Sequence, residues 1–114
     1  MLARAFRLRT AADIARTYKK GAYGGGGPLS VKAAPSSRPA SRAVVVVGKK
    51  VSKRATVRNR IRRRIIGHLA DQWQTLATGY DIVVTVHADI SEQSVPALQE
   101  LVVRALTRAG VIKS

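Results

Sequence analysis

The regular spacing of apolar side chains in the middle of the chain is its strongest constraint on folding. These side chains recur at every fourth position: Val57, Ile61, Ile65, Leu69 and Trp73. Because each helical residue turns by about 100°, this spacing keeps them within about a third of the helix circumference. We therefore predict an amphipathic helix over residues 53–78 that packs its apolar stripe on a sheet and turns its arginines outwards.

Strand patterns flank this helix on both sides. Alternating apolar residues predict a half-buried strand at 29–34, and the β-branched run at 43–47 predicts a central strand that is covered on both faces. A second β-branched run predicts a strand at 82–86. A glycine run lies in the segment 22–28 and prolines and serines in 35–42, so both segments are expected to be flexible loops.

Two further helices are marked by their end signals. Thr10 and Asp13 form a capping pattern before a short apolar repeat that ends at Gly21. Ser94 and Pro96 begin a last helix, which Gly110 ends. A chain of 114 residues with this element order is expected to form one domain over 1–114, a small two-layer α+β sandwich.

Positive charge is concentrated in the first part of the chain. Residues 1–64 carry 18 Lys and Arg and one acidic residue, whereas residues 65–114 carry three Lys and Arg and five acidic residues. Within residues 49–64, nine of sixteen residues are basic and none is acidic. A passive solvated surface is the alternative, but this run is interleaved with valine and isoleucine and so belongs to a folded element. We expect a nucleic acid as the partner.

Residues 1–9 are also rich in arginine and contain no acidic residue. We interpret them as a basic N-terminal arm that contacts nucleic acid. The start of an organelle transit peptide is the alternative, although the segment has no serine and leads directly into a helix signal.

Groups for protein-based catalysis are scarce. The chain has no cysteine, which removes disulfides, thiolate metal sites and thiol nucleophiles and suits a reducing compartment. His68 and His87 are 19 residues apart and have no acidic neighbour at metal-ligand spacing, so both are expected to be structural. No phosphate-binding loop, nucleophile elbow or zinc pattern is present. We expect no catalytic residue and no metal site in the protein itself.

The most informative motif enters the central helix directly from a strand. Arg58, Asn59 and Arg60 place two guanidinium groups on either side of an amide. Guanidinium groups bind phosphates through paired hydrogen bonds, and helix N-termini offer backbone N–H donors to the same kind of group. The combination predicts nucleic-acid binding at the start of this helix.

These residues resemble the signature of the protein subunits of bacterial ribonuclease P, in which a strand is followed by paired lysines, a short basic loop and Arg-Asn-Arg. The matching residues here are Lys49, Lys50, Ala55, Arg58, Asn59, Arg60, Ile61, Arg62 and Arg63. The resemblance also includes the first helix, the strand from Tyr80 and the last helix, and covers nearly the whole chain outside 22–41.

The resemblance implies an αβββαβα fold, similar to domain 2 of ribosomal protein S5, with a left-handed βαβ crossover. It also implies a cytoplasmic bacterial subunit that helps a catalytic RNA to remove the 5′ leader from precursor tRNA. Mg²⁺ would be held mainly by the RNA, and no small-molecule cofactor would be needed. The implied partners are ribonuclease P RNA and precursor tRNA, without a membrane or an obligate protein partner.

Two sets of binding residues follow from the same resemblance. The set implied to bind RNA is Lys49, Lys50, Lys53, Arg54, Arg58, Asn59, Arg60, Arg62 and Arg63. The set implied to contact the leader, in a cleft between the first helix and the sheet, is Ile14, Tyr18, Val31 and Lys32. The chain departs from the family where Ile14 replaces an aromatic residue, and where Ile66 and Gly67 replace an Arg and an acidic residue.

Three other functions are compatible with parts of the sequence. A structural RNA-binding protein, such as a small ribosomal protein, would share the size and charge. A sequence-specific DNA binder would need Asn or Gln repeated along one helix face, and only Asn59 qualifies. A membrane-surface helix would need more bulky apolar residues beside its arginines.

Overall fold

The computed structural model describes residues 2–112, and its helices and strands follow the predicted order. The helices are α1 (Ala11–Lys20), α2 (Ala55–Asp71) and α3 (Val95–Arg108), and short 3-10 turns lie at Arg4–Phe6 and Trp73–Thr75. The strands are β1 (Ala22–Gly26), β2 (Leu29–Pro35), β3 (Arg42–Val47) and β4 (Tyr80–Val86). The αβββαβα order and the α+β class are therefore confirmed.

The four strands form one sheet in the order β1-β2-β4-β3. β1 pairs with β2 and β2 pairs with β4 in antiparallel fashion, whereas β3 and β4 are parallel and are joined through α2. β4 thus lies in the interior of the sheet although it is the last strand in the sequence.

The prediction of a central strand at 43–47 is wrong, because β3 forms one edge of the sheet. Among the described residues its only strand partner is β4, and on the other side Leu8 donates its backbone N–H to the carbonyl of Ala43 at 2.9 Å. Val45 and Val47 are buried, whereas Val44 and Val46 on the opposite face are half-buried. An edge strand that packs a helix on one face uses the same β-branched residues as a central strand, so composition did not separate the two cases.

The helices cover the two faces of the sheet unequally. α2 and α3 pack on the face that carries Val31, Val45 and Val84, and the main hydrophobic core lies there. α1 packs on β2 and β4 from the opposite face. α1 does not cover all of this opposite face, and the uncovered part beside the helix is accessible to a ligand.

The predicted flexible loop at 22–28 is a strand over most of its length. β1 runs beneath the end of α3, and a Cβ on Gly24 would lie 2.2 Å from the backbone nitrogen of Ala109. Glycine is needed at this position because the helix backbone approaches the strand so closely. Gly27, which lies in the turn between β1 and β2, has a φ of 71°.

The second predicted loop, 35–42, is also shorter than expected. Pro35 ends β2 and Arg42 begins β3, which leaves residues 36–41 as the connection. Ser41 is buried there, and its hydroxyl donates to the carbonyl of Ala77 at 2.7 Å and accepts from the N–H of Tyr80 at 3.0 Å. These bonds join the connection to the start of β4.

The central helix is shorter than the predicted 53–78. Ile61, Ile65 and Leu69 form the buried stripe of α2, and Val57 is partly buried against the same core. Trp73 follows the helix in a 3-10 turn, where its ring lies 5.3 Å from that of Phe6. The apolar periodicity continued past the helix end because Trp73 still packs on the core.

Replacement of Ile65 by alanine is expected to lower the free energy of unfolding by about 2–5 kcal/mol, because the side chain is fully buried and its loss leaves a cavity. Urea denaturation measures this change. Thr56→Ala, at an exposed site on the same helix, is the control and should change stability by less than about 0.5 kcal/mol. An Ile65→Ala variant of normal stability that had lost RNA affinity would show that the stripe is a binding surface.

Candidate functional site

Residues 49–64, called here the basic segment, run from the end of β3 into the first half of α2. Lys49, Lys50 and Lys53 are exposed in the connection. On the helix, Arg60 and Arg63 are exposed, while Ile61 between them is buried. The same helix therefore packs the core on one side and presents positive charge on the other.

None of the cations of the basic segment lies within 4 Å of a carboxylate in residues 2–112. Arg58 donates to the carbonyl of Ser52 at 2.8 Å, and Arg62 donates to the side-chain oxygen of Asn59. Arg64 donates to the carbonyls of Ser91 and Gln93. These partners are neutral, so the positive charge of the segment remains available to an anionic ligand.

The start of α2 adds backbone donors to this surface. Arg54 occupies the N-cap position without a side-chain capping bond, and the first turn contains no acidic residue. The first N–H groups of a helix have no partner within the helix and favour negative charge. A phosphate is a suitable ligand at this helix end.

Two of the three departures from the family pattern, Ile66 and Gly67, follow the basic segment along α2. Ile66 is partly buried against the core. A Cβ on Gly67 would meet no atom within 4 Å, so this position faces open space. The helix therefore has no charged side chain at either position.

The second predicted site lies between α1 and the sheet. The Tyr18 hydroxyl lies 2.6 Å from the hydroxyl oxygen of Thr85 on β4, and Tyr18 is 38% exposed. Ile14 lies one turn earlier on the helix and is partly buried. Lys32 lies on the same face of the sheet as Thr85, because Ser30, its neighbour at i−2, is paired directly with Thr85.

The prediction that Val31 contacts the leader is wrong. Its side chain is 0% exposed and belongs to the core beneath α2 and α3. Successive residues of a strand point to opposite faces, so Val31 and Lys32 cannot both line the α1 side. Lys32, Tyr18 and Ile14 are the predicted leader residues on that side.

Tyr23 is an exposed aromatic residue that was not among the predicted site residues. It is directly paired with Lys32 across β1 and β2, and the Lys32 ammonium lies 5.8 Å from the centre of its ring. The glycines around Tyr23 predicted a loop, which gave no reason to place its ring on the sheet face. The signal that could have found it is an isolated aromatic residue in a glycine-rich segment close to basic residues.

A network of charged side chains holds α1 on the sheet. Asp81, which is fully buried at the start of β4, accepts from Arg42 at 2.9 and 3.0 Å and from Arg16 at 2.6 Å. Asp13 lies 3.3 Å from the same Arg42 guanidinium. The hydrogen bond from Thr10, together with the charge of Arg42, lowers the pKa of Asp13, and the bonds to Asp81 raise the pKa of Arg42. This network fixes the orientation of the helix that carries Tyr18.

The N-terminal segment is attached to the domain along the described residues 2–9. Leu2 and Leu8 are buried, and Phe6 packs on Trp73. Arg4 and Arg9 remain exposed. The predicted basic arm is therefore a segment with an apolar anchor and outward-facing arginines.

No helix among the described residues has the length and apolar character required to cross a bilayer. Within residues 2–112, no three His, Cys, Asp or Glu side chains are grouped closely enough to hold a metal ion.

Comparison with known sequences gives a consistent result. The family model described as Ribonuclease P matches residues 2–110. A ribonuclease P protein component from Roseiflexus castenholzii is 39% identical over 111 residues, which cover 96% of this chain and 90% of the relative. One from a Pseudanabaena species is 35% identical over 113 residues, covering 98% and 97%.

Solved structures with the same fold come from the same kind of protein. The RNase P protein of Staphylococcus aureus superimposes with a TM-score of 0.85, at 24% identity and with 96% of this chain and 100% of that chain covered. The RNase P protein of Thermotoga maritima gives a TM-score of 0.79 at 25% identity, with 90% and 96% covered. Nothing in these comparisons supports a ribosomal protein.

Proposed function

Because this chain belongs to the ribonuclease P protein family, whose role is the maturation of the 5′ end of tRNA, we propose that it binds the catalytic RNA and the 5′ leader of precursor tRNA. The observation that carries this proposal is the basic segment, whose cations have no carboxylate partner among the described residues. A surface of this kind suits a polyanionic partner.

In this proposal the RNA carries out hydrolysis and holds the Mg²⁺ ions, and the protein is an accessory subunit of the endoribonuclease. The buried carboxylate of Asp81 and that of Asp13 already pair with arginines, which leaves them poorly suited to bind a metal ion. The protein contributes by neutralising phosphates and by positioning the leader. It acts as a single RNA-binding domain in the bacterial cytoplasm and needs no small-molecule cofactor and no obligate protein partner.

We assign RNA binding to one continuous surface. Its residues are Lys49, Lys50, Lys53, Arg54, Arg58, Asn59, Arg60, Arg62 and Arg63. The exposed guanidinium groups can each engage a phosphate through two hydrogen bonds, and the lysines add point charges. Arg58 and Arg62 are already oriented by bonds to Ser52 and Asn59, which reduces the entropy lost on binding.

We assign leader binding to Ile14, Tyr18 and Lys32 on the α1 side of the sheet. A partly exposed aromatic ring and a nearby cation offer a base a stacking surface and a phosphate an attractive charge. The alternative is that Tyr18 only packs α1 on the sheet. Its hydroxyl contact with Thr85 orients the ring and is compatible with both roles.

Addition of the protein to a bacterial ribonuclease P RNA tests the function directly. The protein should stimulate cleavage of precursor tRNA at low Mg²⁺, because it neutralises phosphates that would otherwise require more metal ions. Absence of stimulation with RNAs from several bacterial groups would contradict the proposal.

Replacement of Tyr18 by alanine should weaken the binding of precursor tRNA by up to about 1–3 kcal/mol, which is the range for stacking of one base. The measurement is the affinity of the holoenzyme for precursor tRNA and for mature tRNA, which has no leader. Mature tRNA should be bound as before. An equal loss for both RNAs would mean that Tyr18 is structural and that the leader follows another route.

A further inference from the structure

The open face of the sheet continues past Tyr18 towards β1. On β4 and β2, Thr85 and Ser30 are paired, and Lys32 follows two residues later on the same face. Lys32 is in turn paired with Tyr23 on β1. Ser30 itself is buried, so the accessible side chains along the path from α1 to the edge of the sheet are Thr85, Lys32 and Tyr23.

Tyr23 has the features of a binding surface more than of a packing residue. Tyr23 is 59% exposed, although tyrosine is a large, partly apolar residue. The Lys32 ammonium lies 5.8 Å from the ring centre, within the range of a cation–π contact. An aromatic face with a cation beside it matches the chemistry of a stacked base and its phosphate.

The strand beneath Tyr23 is held firmly from the other face. Gly24 lies against the backbone of Ala105 and Arg108–Ala109 at the end of α3. Arg108 also donates to the carbonyl of Gly25 at 2.8 Å. The ring therefore projects from a strand that α3 supports.

We propose that Tyr23, together with Lys32, forms a second stacking site for the 5′ leader, beyond the site at Tyr18. This inference rests on the proposed function, because it extends the leader-binding surface assigned to Ile14, Tyr18 and Lys32. β1 lies two strands from Thr85, so Tyr23 is about 10 Å further across the sheet. A leader of one nucleotide stops short of Tyr23, whereas a leader of several nucleotides reaches it.

The test compares holoenzymes that carry Tyr23→Ala, Tyr23→Phe and Tyr23→Leu on precursor tRNAs with leaders of one to ten nucleotides. Tyr23→Ala should weaken the binding of long-leader substrates by about five- to tenfold, the lower part of the range for aromatic stacking. The one-nucleotide substrate and mature tRNA should be unaffected. Tyr23→Phe should keep the affinity, whereas Tyr23→Leu, which keeps bulk and lacks the aromatic face, should lose it.

A 2-aminopurine placed at successive leader positions gives an independent readout. Its fluorescence should be quenched by stacking at one distal position in the unmodified holoenzyme and restored by Tyr23→Ala. An equal loss of affinity for all substrates, mature tRNA included, would overturn the inference, since Tyr23 would then be structural or would contact the catalytic RNA.

Measurements on the Tyr18→Ala holoenzyme distinguish a failure of this inference from a failure of the proposed leader binding. If Tyr18→Ala causes a leader-specific loss and Tyr23→Ala does not, the second site is wrong and the leader path at α1 stands. If neither variant shows a leader-specific loss, the whole leader assignment fails, and the second site fails with it.

Discussion

Raising the salt concentration from 50 to 200 mM should weaken the binding of this protein to ribonuclease P RNA by roughly 10³–10⁵-fold, if about six to ten phosphates are neutralised. Among the described residues, six side chains of the basic segment have no hydrogen-bonded carbonyl: Lys49, Lys50, Lys53, Arg54, Arg60 and Arg63. Each phosphate contact releases counterions, which is why the affinity depends so steeply on salt. Filter binding or fluorescence anisotropy across the salt series measures the slope.

Single substitutions identify the residues responsible for that slope. Arg60→Ala should reduce it by about 0.9 and weaken binding by about 1–3 kcal/mol, with little change in thermal stability, because the side chain is exposed. Arg104→Ala is the matched control, since Arg104 is an exposed arginine on α3 that pairs with Glu100. A binding constant that hardly changes with salt would contradict RNA binding through phosphates.

Replacement of Asp81 by asparagine should lower the free energy of unfolding by about 3–5 kcal/mol. The change keeps the shape of the side chain but leaves Arg42, whose side chain is only 10% exposed, without its buried counter-charge. Arg16 also loses its charged partner, so α1 should become less firmly attached to the sheet. Urea denaturation gives the stability, and hydrogen exchange of the α1 amides reports the local effect.

The exposed ion pair on α3 provides the control for this experiment. Glu100→Gln removes a carboxylate from the pair with Arg104, and an exposed pair at this spacing contributes about 0.3–0.5 kcal/mol. If Asp81→Asn cost no more than Glu100→Gln, the buried network would not be what attaches α1.

The helices were predictable because their signals are local. The Thr10 hydroxyl caps α1, and Ser94 caps α3, as their positions in the sequence indicated. The stripe of α2 is buried at Ile61, Ile65 and Leu69. Capping and apolar periodicity depend on residues within one or two turns, so one sequence contains the information.

The features that were not predicted depend on residues far apart in the chain. β1 is hydrogen-bonded to β2 and is covered by the end of α3, which packs closely on Gly24 from some 80 residues later in the chain. β3 is an edge strand because β4 enters between it and β2. Asp81 is buried among β-branched residues, and only the folded chain brings it to Arg16 and Arg42.

The basic segment and the leader face also differed in how far they could be predicted from the sequence. The basic segment is continuous in sequence, so its residues could be selected before the fold was known. The leader face is assembled from α1, β1, β2 and β4, and a register uncertainty of one residue was enough to include Val31 beside Lys32. Tyr23 was overlooked because its place on this face depends on strand pairing.

The interior position of β4 also affects how the chain folds during synthesis. β2 and β3 both use β4 as a partner, and the two strands do not pair with each other. At roughly 5–20 residues per second, the ribosome produces the basic segment seconds before residues 80–86 are complete. We therefore expect the nascent chain to present its cations on an unfinished sheet and to close that sheet only after β4 has been synthesised and inserted between its neighbours.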